Sequence, residues 1–237
     1  MRSGGSAIPV AWQLAEALSR QPGLSLTPSA SSDVVIEGDL RCHRVGPDDV
    51  VIDEHYAVKI EVPRGFPRAL PRVFETKGRV PPTFHRNPDT TLCLGSPIAL
   101  RFAIEEEPTI GGFIDRVVVP YLYSHAYFVR FDRMPFGELA HGAAGLEDDV
   151  RRLFRLPPGT NAEEFLRLAS LKRRHANKRR CPCRSGVRVG RCHAAAVHEA
   201  RRRLGRLVCR AEWKLLAWQQ GGPLPRRGRM NRARQSA

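Results

Sequence analysis

The sequence predicts an α+β fold: an antiparallel β-meander flanked by helices, followed by a small cysteine-rich knuckle and a C-terminal helix. Three observations carry that class. Strand-like segments at 33–45, 50–63 and 71–76 follow one another closely, which favours antiparallel neighbours. Apolar residues at helical spacing bracket them, at 8–20 and 109–131. Three cysteines and a histidine then fall within thirteen positions, from Cys181 to His193, in a stretch almost free of acidic residues.

Residues 8–20 place Leu14, Ala17 and Leu18 on one face, the signature of an amphipathic helix. Residues 21–32 are rich in Pro and Ser and read as a loop. The first strand carries Val34, Val35 and Ile36, and the second alternates through Tyr56, Val58, Ile60 and Val62. Gly46-Pro47-Asp48-Asp49 between them is a hairpin turn. The third strand holds Val73 and Phe74. Residues 77–108 show no periodicity, and a loop of that length in a small domain is usually functional. Thr109 caps a helix reaching about Phe131, with Phe113, Val117, Tyr121 and Leu122 inward and a kink at Pro120. A short helix covers Leu146–Leu156 and stops at Pro157-Pro158-Gly159. Asn161 and Glu164 form a capping box for a helix to about Arg174. Beyond the cysteines, Val197, Leu204, Leu207, Val208, Ala211, Leu215 and Trp218 share helical spacing, so Trp213 and Trp218 are expected in the core. Gly221-Gly222-Pro223 ends that helix, and the basic residues after it are expected to be disordered.

Charge is distributed unevenly. The net charge is +15, yet residues 172–237 alone hold 20 Lys and Arg against 2 acidic residues, leaving the rest close to neutral. Such a segment suits a polyanion or an acidic protein, or else it is a solvated basic helix. No run of about 18 apolar residues exists and the start lacks an apolar leader block, so neither a membrane span nor export is expected. Six cysteines without a disulfide-like spacing then point to a reducing, cytoplasmic setting.

Cys181, Cys183, Cys192 and His193 are a full set of soft and borderline ligands, the kind that Zn²⁺ takes in closed tetrahedral sites. With four protein ligands no position is open for catalysis, so the metal would fold a module too small for its own core. Ser185-Gly186 supplies the tight turn between the thiolates. The run CPCRSGVRVGRCH resembles the SEC-C motif, the zinc motif at the C-terminus of the SecA translocation ATPase, with every ligand position filled.

The second candidate lies in the long loop. His85, Asn87 and Cys93 sit within nine positions, and thioester chemistry needs a reachable thiolate, an oxyanion donor and a rigid loop. Phe66-Pro67, Pro71, a strand, His85-x-Asn87 and Leu92-Cys93-Leu94 are similar to the ubiquitin-conjugating enzymes over roughly residues 8–131. Arg86 stands where the eukaryotic family has Pro, and the interval to the cysteine is two residues shorter, which looks more like bacterial relatives. The resemblance implies that Cys93 holds the thioester, that Asn87 stabilises the oxyanion or the loop and that His85 is structural. It also implies a ubiquitin-like modifier and its activating enzyme as partners. The competing reading of Cys93 is a buried, inert thiol in a domain that only binds.

Two weaker signals complete the chain. Glu138 and His141 are a capped turn or a packed histidine, or else His141 approaches Cys93 in space, and Glu105-Glu106-Glu107 is a solvated face or a lure for a basic partner. The organisation expected is a conjugating-enzyme-like domain with helical extension at 8–156, a linker helix at 157–178, the zinc knuckle at 179–195, a basic amphipathic helix at 196–220 and a disordered tail at 221–237.

Overall fold

In the computed structural model, which describes residues 10–29, 33–136 and 142–221, the chain divides into two units, Met1–Glu138 and Leu139–Ala237. The expected tail lies outside the described residues beyond Gly221, as do Glu138 and His141. Among the described residues no helix is long and apolar enough to cross a membrane.

The first unit is built on four antiparallel strands in the order β1-β2-β3-β4: Leu24–Thr27, Val34–Val45, Val51–Val62 and Arg72–Glu75. Helix α1, Val10–Arg20, precedes them and buries Leu14 and Ala17. Strands β2 and β3 pair from Val34↔Val62 to Val45↔Val51. This register puts Ile36, Leu40 and Cys42 on the same face as Ile52, Tyr56, Val58 and Ile60, and all of them are buried. The turn at 46–49 closes as expected, with Asp49 at a φ of 58°.

Two elements depart from expectation. Strand β1 lies inside the segment read as a loop. It alternates as Leu-Ser-Leu-Thr but is only four residues long between Pro22 and Pro28, too short for the alternation to stand out, and only Leu24 of its two leucines is buried. The β1–β2 approach is close at one point: a Cβ on Gly23 would lie 2.2 Å from the Asp39 carbonyl oxygen. Helix α2, Pro97–Ala103, lies inside the aperiodic stretch, with Pro97 in its first turn and the Ser96 hydroxyl accepting the Ala99 N–H at 3.1 Å.

Thr109 caps α3, Ile110–Phe113, by accepting the Gly112 N–H at 3.0 Å. A π-helical turn, Ile114–Val118, then leads into α4, Val119–Phe131. Pro120 brings no N–H, and the wider turn carries the chain past the missing bond without ending the helix. Phe113, Leu122, Tyr123 and Tyr127 are sealed in the core, and α4 packs on β2 and β3. Burial of each such side chain contributes about 1.5–3 kcal/mol.

The second unit holds α5 (Gly142–Leu153), α6 (Ala162–Ser170), α7 (Arg173–Ala176) and α8 (Ala194–Gln219). The boundary therefore falls before α5 and not after residue 156. The 157–178 segment is not a linker: α6 buries Ala162, Phe165, Leu166, Leu168 and Ala169 and packs on α8. Asn161 accepts the Glu164 N–H at 2.7 Å, but the Glu164 carboxylate pairs with Arg167, so only half of the capping box forms. Leu171 and Lys172 are extended, which splits the helix expected to run to Arg174 into α6 and α7.

Helix α8 covers the basic helix expected at 196–220, with one interruption. Gly205 has φ 77° and ψ 158°, a conformation open in practice only to glycine, and it resets the helical phase. Val197, Ala200, Leu204, Cys209, Glu212 and Leu216 are buried, while Leu207 is 83% and Trp218 45% exposed. The uninterrupted spacing from Leu204 to Trp218 thus named the wrong face beyond the glycine. Trp213 is half-buried and donates its indole N–H to Glu163 at 3.1 Å.

Candidate functional site

In the first unit the segment after β4 folds back as a short hairpin. Arg86 bridges Leu92, flanked by Asn87 N–H to Thr91 O at 2.8 Å and Cys93 N–H to His85 O at 2.8 Å. Leu92 N–H donates to Val73 O at 2.8 Å, which ties the hairpin to β4. The Tyr121 hydroxyl on α4 reaches the carbonyls of Phe84 and His85 at 3.1 and 3.0 Å. Its tyrosine is pushed above the ordinary value, first by burial and next by nearness to Cys93. Tyr121 entered the sequence reading as packing only. A tyrosine on an inward helical face is itself a sign of a polar tether, since a buried phenol needs a partner.

The structure thus brings Cys93 and His85 onto facing backbone positions, with Asn87 and Thr91 two residues farther toward the turn. Cys93 is half-buried, unlike Cys42 and Cys209, which are buried and whose thiols burial pushes up to about 12. The Asn87 side-chain amide donates to the Thr91 hydroxyl at 2.9 Å. Thr91 in turn donates to Asp89 at 2.6 Å, and Asp89 meets Arg72 at 3.1 Å. Asp89 is held below the usual carboxylate range, chiefly by the Thr91 hydroxyl. The loop is therefore braced at its tip by a side-chain chain and at its base by backbone bonds. In the acidic run Glu105 and Glu106 are exposed, as on a solvated face, while Glu106 and Glu107 pair with Arg116 and Glu107 also meets Arg20.

In the second unit the cysteine run forms its own hairpin. Cys181 N–H donates to Val187 O at 2.8 Å, Arg180 bridges Arg188, and Val189 N–H donates to Arg179 O at 2.9 Å. The turn uses Arg184 at φ 62° and Gly186 at φ 77° to reverse direction within four residues. A 3₁₀ turn, Val189–Arg191, delivers Cys192, and His193 stands at the N-cap of α8. The hairpin is tied to the head of α6 by Asn161 N–H to Pro182 O at 3.1 Å.

This local folding brings all four expected ligands together. One donor atom from each of Cys181, Cys183, Cys192 and His193 lies within 4.8 Å of every other. Closest approaches are 3.6 Å between Cys183 and Cys192 sulfurs, 3.3 Å from Cys181 Sγ to His193 Nδ1 and 3.2 Å from Cys192 Sγ to the same nitrogen. A tetrahedron with metal–sulfur bonds of ~2.3 Å and metal–nitrogen bonds of ~2.0–2.1 Å has S···S edges of about 3.8 Å and S···N edges of about 3.6 Å. Those three edges match such a tetrahedron to within a few tenths of an ångström and the other donors stay within 4.8 Å, close enough for these residues to hold a metal ion.

Ser185 adds a polar atom beside two ligands, its hydroxyl oxygen 3.3 Å from Cys183 Sγ and 3.5 Å from Cys192 Sγ. That hydroxyl is the main cause that lowers the Cys183 thiol to about 6, whereas burial raises the Cys181 thiol to about 11. A hydroxyl able to donate to thiolate supports a ligating sulfur, because metal ligands need outer partners. No protein-family profile, no curated protein and no solved structure matches this chain.

Proposed function

We propose that the first unit is a ubiquitin-conjugating-enzyme-like domain that carries a ubiquitin-like modifier as a thioester on Cys93, and that the second is a zinc-stabilised module that recruits a partner. The observation that carries the first part is the half-buried Cys93 at the base of a braced hairpin. A helix and a four-strand antiparallel meander precede it and a long helix follows. In this reading the Cys93 thiolate attacks the carbonyl of the modifier's C-terminal thioester on its activating enzyme, and the activating enzyme's thiolate leaves as the Cys93 thioester forms. An acceptor amine then takes the acyl group and the thiol is released. Asn87, once turned from Thr91, donates to the oxyanion. His85 holds the loop through its carbonyl, which accepts from Cys93 N–H and from Tyr121.

The metal is assigned as Zn²⁺ because three thiolates and one imidazole within 4.8 Å of one another form a closed donor set. When bound, it supplies folding free energy to the hairpin and no open coordination position. Metal analysis of purified protein should find one zinc per chain, and Cys183→Ser should lower that content.

The transfer reading is tested by incubating the protein with a ubiquitin-like modifier, its activating enzyme and ATP. An adduct that reducing agent removes and that Cys93→Ala abolishes is the expected result. An adduct that persists in Cys93→Ala ends the assignment to Cys93. The bond from Asn87 to Thr91 favours a second reading, a non-catalytic adaptor of the same fold. That reading predicts modifier binding without an adduct in the same mixture.

A further inference from the structure

Residues 165–198 contain no Asp or Glu and ten Lys and Arg. The structure shows where these cations stand. Arg173 and Arg174 are on α7, Arg180 and Arg188 on the hairpin strands, Arg184 at its turn and Arg191 in the 3₁₀ turn, and all six are exposed. Backbone bonds from Val189 to Arg179 and from Gly190 to Asn177 join these pieces into one continuous knob around the four-ligand cluster. Among the described residues no ion pair involves any cation from Lys172 to Arg191, whereas arginines of the first unit such as Arg20, Arg41 and Arg116 are paired.

Arg180 and Arg188 are bridge partners, directly opposite across the hairpin. Side chains at such positions start ~5 Å apart, well inside the ~8 Å Debye length of physiological salt, and like charges there destabilise the pair. Three thiolates, a neutral imidazole and a divalent metal sum to one negative charge, too little to neutralise the knob. Among the described residues no carboxylate balances these guanidinium groups, so a polyanion is the partner that would.

The kind of polyanion follows from what else the surface offers. Between residues 166 and 212 there is no Phe, Tyr or Trp, and the exposed large hydrophobic side chain of the hairpin is Val187. A protein partner would need an apolar or aromatic centre, and base stacking on single strands would need aromatic platforms. A phosphate backbone needs only spaced cations, and guanidinium groups grip phosphate oxygens in pairs. We propose that the hairpin and α7 form a binding surface for the phosphate backbone of a duplex nucleic acid, read without regard to base sequence. This inference is independent of the Cys93 assignment.

The test is fluorescence anisotropy of a labelled 24-base-pair DNA duplex with the metal-loaded full-length protein, titrated from 50 to 300 mM salt. Logarithmic affinity should fall linearly with log salt, at about −0.9 per phosphate neutralised, and be the same for an unrelated sequence. R180Q/R188Q should weaken binding roughly tenfold or more at 100 mM salt and reduce the slope by about 2. R180K/R188K, which keeps the charge, should retain the slope. R64Q/R68Q removes two exposed cations from the first unit and should change affinity less than about twofold. Circular dichroism and zinc content establish that each variant is folded. Equal weakening by R180Q/R188Q and R64Q/R68Q, or an unchanged slope in R180Q/R188Q, overturns the proposal. So does stronger competition by polyglutamate than by unlabelled duplex at equal charge, which would mark an acidic protein as the partner.

Discussion

On the zinc assignment proposed above, stripping the metal should open the hairpin 179–193 and leave the rest of the second unit folded. Ordering the 13 residues from Cys181 to His193 costs roughly 13–26 kcal/mol at ~1–2 kcal/mol per residue. Six backbone hydrogen bonds close the segment, donated by Cys181, Arg184, Val189, Gly190, Arg191 and Cys192, and at ~1 kcal/mol net each they return about 6. Its buried apolar side chains are few: Cys181 and Val189 together contribute about 4 kcal/mol. The sum is on the order of 10 kcal/mol, short of the ordering cost by an amount that the ~10–16 kcal/mol of a structural zinc covers. Helices α6 and α8 stand apart from this balance, because Phe165, Leu166, Leu168, Val197, Ala200 and Leu216 form a core of their own. Hydrogen exchange with mass-spectrometric readout, before and after chelation, measures both regions at once. Peptides over 179–193 should lose protection at the amides of Cys181, Val189, Gly190 and Cys192, while peptides over 162–170 keep theirs. Undiminished protection of 179–193 in protein shown to be metal-free would refute this reasoning, and so would equal loss in α6.

Two further outcomes follow from single residues. His125 is buried against Tyr56, its Nδ1 2.8 Å from the tyrosine oxygen, and burial holds its pKa below the ordinary value. The unfolded chain therefore takes up the proton first, so stability is complete above about pH 6.5 and falls below it by at most ~1.4 kcal/mol per pH unit. Urea midpoints at pH 7.5 and 5.5 should show this decline, and His125→Gln should flatten it; an identical decline in the variant contradicts the assignment. Gly205→Ala meets no atom within 4 Å, so its cost is purely that of the backbone conformation, ~1–3 kcal/mol. A lower melting temperature is expected, and an unchanged or raised one would mean that the interruption of α8 is not held by the native packing.

Local chemistry made much of this chain legible. Thr109 and Asn161 announced helix starts because a cap is a contact between a side chain and an amide three residues on. The spacing of Cys181, Cys183, Cys192 and His193 announced a cluster because short loops leave a tight turn few ways to arrange four ligands. The alternation in β2 and β3 announced their buried face. What remained hidden depends on residues distant in sequence. Strand β1 exists because the first residues of β2 offer it an edge, and four residues with one buried leucine carry too little pattern alone. The tether from Tyr121 depended on how the loop lies against α4. Trp213 and Trp218 looked apolar-facing because helical spacing was extended through Gly205, where the chain leaves the helical conformation.

The sequence by itself determined the helix caps, the strand faces, the clustering of three cysteines with a histidine and the concentration of charge, since each is set within a few neighbouring residues. Only the tertiary structure decided which cysteines are buried, which helix tethers the Cys93 loop, and that α6 is a core element and not a linker. Those properties belong to surfaces brought together by packing, and burial is a property of the neighbours that surround a residue as much as of the residue itself.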